Sequence, residues 1–68
     1  MEVFSERLKE LRIGRGLTQK ELAKETNLSK SAIAFWELNK RTPNAIAIVT
    51  LAKYFGVTSD YLLGLSEY

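Results

Sequence analysis

Sixty-eight residues with a net charge of +2 and 46% hydrophobic content make one domain, residues 1–68, with apolar surface for a single small core. Cys and His are both absent, which removes disulfides, thiolate metal sites and the commonest general base, and with them any Ser-His-Asp or Cys-His arrangement. No Gly-rich phosphate loop is present, so the expectation is a protein that is not an enzyme and needs no cofactor or metal.

The opening residues 1–6 lack the positive and then apolar regions of a signal peptide, and the longest mainly apolar stretch, 45–51, is far too short to span a bilayer. A cytoplasmic protein with no membrane contact is expected. Charge is unevenly spread. Between Arg12 and Arg41 seven basic residues face three acidic ones, whereas the remainder of the chain is net negative. That distribution suits a phosphate-binding footprint and equally suits solvated helix faces.

Five helices follow in chain order. Phe4, Leu8 and Leu11 share one face of a first helix over residues 4–14, ended by Gly14 and Gly16. Thr18 and Glu21 form a Thr-x-x-Glu capping box that starts a second helix, which stops near Asn27. Ser29 caps a third helix over 30–38. Asn39-Lys40-Arg41-Thr42-Pro43 is a loop in which Asn39 takes positive φ and Pro43 bars a helix. A fourth helix, 44–55, turns Ile48, Leu51, Ala52 and Phe55 inward and ends at Gly56. Thr58 or Ser59 caps a short fifth helix over 60–63, closed by Gly64. The fold class is therefore all-α, a compact five-helix bundle.

Only Asn27-Leu28-Ser29 separates the second helix from the third. So short a turn makes the helices cross steeply and leaves the N-terminus of the third projecting. Ala23 suits the close contact between them, and Leu28 and Ile33 suit the space beneath the turn. A projecting helix fits the major groove of B-DNA, and its positive end together with Lys30 suits phosphate.

These residues resemble a known family. Arg7-Leu8-Lys9-Glu10-Leu11-Arg12, Gly16-Leu17-Thr18-Gln19-Lys20-Glu21-Leu22-Ala23, Leu28-Ser29-Lys30-Ser31, Ile33, Trp36-Glu37 and Lys40-Arg41-Thr42-Pro43 are similar to the Cro and phage-repressor (lambda-repressor-like, XRE) type of helix-turn-helix domain. Leu51-Ala52, Phe55-Gly56-Val57 and Asp60-Tyr61-Leu62-Leu63-Gly64 continue the likeness, which spans residues 4–64. It implies a lambda-repressor-like bundle whose helix-turn-helix is formed by the second and third helices.

The resemblance also implies roles. Thr18 and Gln19 would meet a phosphate, Gln19 packing beside the third helix. Ser29, Lys30, Ser31, Ala34 and Phe35 would line the DNA-facing surface, and Asn39, Lys40 and Arg41 would meet the flanking backbone. Arg12 and Glu37 would form a semi-buried ion pair between the first and third helices, with Trp36 in the core. The implied activity is that of a bacterial or phage-encoded, nucleoid-associated transcriptional regulator, a repressor that binds a palindromic operator in double-stranded DNA as a homodimer. No small-molecule site is implied. Dimer contacts are expected from the C-terminal segment: Ser59, Leu62, Leu63 and Leu65.

The chain departs from the family at the reading surface. Family members often carry Gln, Arg, Asn or Thr where Ala32, Ala34 and Phe35 stand here, and Gly where Asn39 stands. Phe35 either touches thymine methyl groups, or is an exposed apolar residue near the core edge, or belongs to a protein interface. Ile46 and Val49, off the core stripe of the fourth helix, either fold under the loop or face a partner. A second function stays open beside the first: a protein-interaction or antitoxin-like module that retains the fold with weak or no DNA binding.

Overall fold

Four of the five helices begin at a side chain that accepts from a backbone N–H, and this punctuation sets the architecture. A computed structural model describes residues 1–68 and contains α1 (Glu2–Gly14), α2 (Gln19–Thr26), α3 (Lys30–Glu37), α4 (Ala45–Phe55) and α5 (Ser59–Leu63), with no strand. Thr18, Ser29, Asn44 and Thr58 cap α2 to α5 by accepting from the N–H of the third helical residue. At Thr18 the box is complete, because the Thr18 N–H donates to the Glu21 carboxylate at 2.8 Å.

The helix ends obey the complementary rule. Gly16, Asn39, Gly56 and Gly64 take φ between 57° and 80° and close α1, α3, α4 and α5. In each case a 5→2 and a 6→1 backbone bond absorb orphan carbonyls, as with Asn39 N–H to Trp36 and Lys40 N–H to Phe35. α2 ends at Asn27, φ 63°. Expected boundaries shift slightly: α1 starts two residues earlier, at Glu2, and Leu38 and Asn44 are caps, not helical residues.

The core is a single cluster, to which every helix contributes: Phe4 and Leu8 from α1, Leu22 from α2, Ile33 and Trp36 from α3, Ala47, Ile48, Leu51, Ala52 and Phe55 from α4, and Leu62 from α5. Phe4 meets Trp36 edge-on, with ring centroids 6.2 Å apart. Leu11, Leu17, Ala23 and Leu28 pack around the rim. α3 lies against both α1 and α2, while α5 bridges α1 and α4. Helices of eight residues are marginal alone, so α2 and α3 hold their shape through this packing.

Leu62 corrects one expectation. It is fully buried within the chain and is unavailable to a second copy, because α5 turns it in against α1 and α4. Leu63 and Ser59 are half-buried, and of the four residues expected at a dimer contact only Leu65, 75% exposed, presents a large free apolar side chain. Trp36 is buried, whereas Ile46 and Val49 are exposed rather than tucked under the loop.

The chain leaving α5 is fastened to α1. Arg7 donates to the carbonyl oxygens of Tyr61 and Ser66, and its guanidinium lies 4.1 Å from the Tyr61 ring centroid. Beside it Gly64, at φ 80°, lets Val3 approach so closely that a Cβ would stand 2.9 Å from Val3 Cγ1.

Leu62→Ala should cost about 2–5 kcal/mol in urea unfolding, whereas Leu65→Ala should stay within about 0.5 kcal/mol. The two midpoints, measured on dilute protein with the slope checked, test whether Leu62 is core.

Candidate nucleic-acid interface

The N-terminal half of α3 projects because its opposite face is committed to the core. Ile33 and Trp36 point in, so Lys30, Ser31, Ala34 and Phe35 fall on the outer side. Lys30, Ser31 and Phe35 are exposed and Ala34 is half-buried. The helix is about 12 Å long, and Ser29 occupies one of its leading N–H groups, bonding that of Ala32 at 3.1 Å. The remaining free N–H groups and Lys30 make its tip electropositive.

Orientation of α3 is set by a nearly dry ion pair. Arg12 Nε donates to Glu37 Oε2 at 2.7 Å, and Arg12 Nη2 donates to Glu37 Oε1 at 2.9 Å. Their side chains are 13% and 4% exposed. Hydrogen bonding to Glu37 raises the Arg12 pKa above its ordinary value, against the opposing effect of desolvation. Two further bonds extend the pair: Arg12 Nη1 donates to the Leu17 carbonyl at 2.7 Å, and Gln19 Nε2 donates to Glu37 Oε1 at 3.2 Å.

Gln19 is thus half-buried beside α3, at the start of α2. It joins the ion pair, a contact with no signal in the residue pattern beyond its expected packing against that helix. Thr18 is exposed beside it, with its hydroxyl occupied in accepting from Glu21 N–H at 3.0 Å. The capping bonds from Thr18 backbone and then side chain hold the Glu21 carboxyl below its ordinary value of 4.5.

Past the far end of α3, Asn39, Lys40 and Arg41 are all exposed. Asn39 Oδ1 accepts from the Met1 amine at 3.0 Å, which ties the start of α1 to this turn. The Arg41 guanidinium carbon lies 5.3 Å from the Phe35 ring centroid. The surface therefore has two flanks, Thr18–Gln19 and Asn39–Arg41, joined to α3 by the ion pair and by the turn. Ser59, Leu63 and Leu65 lie in or after α5, apart from these flanks in the chain. No helix is long and apolar enough to cross a membrane.

Residues 8–62 match a family model described as helix-turn-helix. Over 64 residues, 94% of this chain, the sequence is 42% identical to the HTH-type transcriptional activator BcrR of Enterococcus faecalis. It is 37% identical, again over 64 residues and 94% of the chain, to the HTH-type transcriptional regulator ImmR of Bacillus subtilis (strain 168). The chain spans only 31% of the first relative and 50% of the second. The crystal structure of the restriction-modification controller protein C.AhdI from Aeromonas hydrophila has the same fold, with a TM-score of 0.80 at 31% identity, covering 90% of this chain and 92% of that one.

Glu37→Gln keeps the shape but strips the charge facing Arg12, and should lower unfolding free energy by about 3 kcal/mol. Guanidinium titrations of both proteins at pH 7 measure it. A second expectation concerns acid. Because the Glu21 pKa is lowered on folding, the stability it contributes is present above the unfolded value and lost as pH falls through the folded one. Glu21→Gln should therefore lower the urea midpoint above about pH 4.5 and converge with wild type as pH falls below it, leaving the rest of the acid profile unchanged.

Proposed function

The chain belongs to the XRE-type helix-turn-helix family, and from that membership we propose that it is the DNA-binding domain of a cytoplasmic bacterial or phage-encoded transcriptional regulator. The observation that carries this reading is the exposed N-terminal half of α3, set at a fixed angle by the Arg12–Glu37 pair between two polar flanks. In this reading residues 1–68 act as one domain. α3 enters the major groove, with Lys30 and Ser31 supplying polar contacts to base edges or phosphate. Ala34 and Phe35 supply apolar contacts to thymine methyl groups. Thr18, Gln19 and Ser29 meet one phosphate strand, and Asn39, Lys40 and Arg41 meet the other.

So few polar groups on α3 leave affinity to the backbone contacts and part of the specificity to DNA shape. One such module touches too few bases for useful affinity. The proposal is therefore a symmetric dimer on a palindromic operator, with half-sites about 34–36 Å apart. The exposed Leu65, flanked by Ser59 and Leu63, is the apolar surface proposed for the dimer contact. A regulator of this kind represses where its operator overlaps a promoter, since occupancy alone is enough.

A second reading is favoured by the exposure of Phe35, Leu38, Ile46 and Val49, which suits an interaction module that binds an apolar protein surface. Salt separates the two, because phosphate binding weakens steeply as salt rises while apolar contact does not.

Selection from a random DNA pool tests the proposal. It should recover a two-fold site whose half-sites lie one helical turn apart. Enrichment of no sequence, even at low salt, would sink it. On the selected operator Lys40→Ala should weaken binding to all sequences alike and reduce the salt slope by about one, as fluorescence anisotropy over a salt series would record.

A further inference from the structure

Phe35 and Arg41 are six residues apart and meet because of how α3 ends. Asn39 takes φ 57°, which lets the Lys40 N–H return to the Phe35 carbonyl at 2.9 Å. The next residue is then carried back along the helix, and its guanidinium settles 5.3 Å from the Phe35 ring centroid. Phe35 is 41% exposed and is not among the apolar side chains packed on the core. The two ion pairs of the chain are Arg7–Glu67 and Arg12–Glu37, so the Arg41 charge has no carboxylate partner and its N–H edge is unclaimed.

Resting on the DNA-binding reading, we infer that Arg41 is a positioning residue for base readout. It holds the Phe35 ring against the turn so that the ring's free side meets a thymine methyl group, while its own N–H edge faces the neighbouring phosphate. An exposed aromatic ring at a helix flank is otherwise free to exchange rotamers. A guanidinium over the ring favours one orientation by about two- to fivefold. Lysine is no substitute, because its ammonium is a compact, strongly hydrated charge with no flat face to lay on the ring. Arg41→Lys therefore separates the two duties: it keeps the charge for phosphate and loses the platform for Phe35.

The test uses the selected operator with each thymine replaced in turn by uracil, which deletes the methyl group alone. Wild-type protein should prefer thymine over uracil at one position per half-site by about fourfold, the worth of one buried methyl group. That ratio should fall towards one in Arg41→Lys and in Phe35→Ala, and no further in the double variant. The salt slope of Arg41→Lys should match wild type, since the charge count is unchanged. Both sites are exposed, and matching thermal melts confirm that the variants are folded.

Three outcomes overturn the inference: no thymine methyl matters to the wild type, Arg41→Lys keeps the wild-type ratio, or Arg41→Lys weakens thymine and uracil duplexes equally. A chain that binds no DNA at any salt overturns the DNA-binding reading as well, and is distinguished from these by the absence of any wild-type complex.

Discussion

Arg12 and Glu37 face each other as a fork on a carboxylate, at 2.7 and 2.9 Å, with little of either side chain in contact with water. A buried ion pair of this kind contributes little net stability, because desolvation offsets most of the attraction. Its value here is directional. The fork fixes Glu37 in plane, which fixes the rotation of α3 about its own axis. Apolar packing by Ile33 and Trp36 tolerates small rolls of a helix, whereas two parallel hydrogen bonds do not. The same guanidinium also binds the Leu17 carbonyl, and Gln19 shares the Glu37 carboxylate. One cluster thus references α1, the entry to α2 and the end of α3 to one another.

That arrangement explains how two eight-residue helices present a stiff surface. Neither is long enough to be stable by itself, and the turn between them contains only Asn27, Leu28 and Ser29. Leu22 and Ile33 anchor them to α4 and α1 through the core, and the ion-pair cluster then removes the remaining freedom of orientation. The outer face of α3 is left free of structural duty. Polar or apolar residues are tolerated there equally, and this is why the apolar Ala34 and Phe35 stand on that face without disturbing the bundle.

Local chemistry was the most legible part of the chain. Thr18, Ser29 and Thr58 cap helices by bonds that span three residues, so their signals are complete in a short window, and the Arg12–Glu37 pair was readable through the family resemblance. Which leucine of α5 faces in is not legible, because the helix has five residues, little more than one turn, too brief to show a periodicity. The inward face of Ala47 is hidden for a related reason: α4 is apolar nearly all round, which blurs its buried stripe. The Arg7 fastening to Tyr61 and Ser66 and the Arg41 stack on Phe35 left no mark in the sequence. Both depend on backbone dihedrals at a turn and on side-chain torsions, neither of which has a residue-level pattern.

Asn39 shows how one backbone conformation serves several contacts at once. Positive φ is less costly for glycine than for asparagine, so a turn selected only for closure would carry glycine. Asparagine closes the helix with the same backbone bonds and adds an acceptor, Oδ1, which takes a hydrogen bond from the Met1 amine. The start of α1 is thereby joined to the segment that carries Lys40 and Arg41, while Arg12 joins its other end to Glu37. α1 therefore braces α3 near its C-terminal end from two points, and the N-terminal half of α3 stays unencumbered. A reading helix needs that asymmetry, since the end that enters a groove must be bare and the end that leaves it must be held.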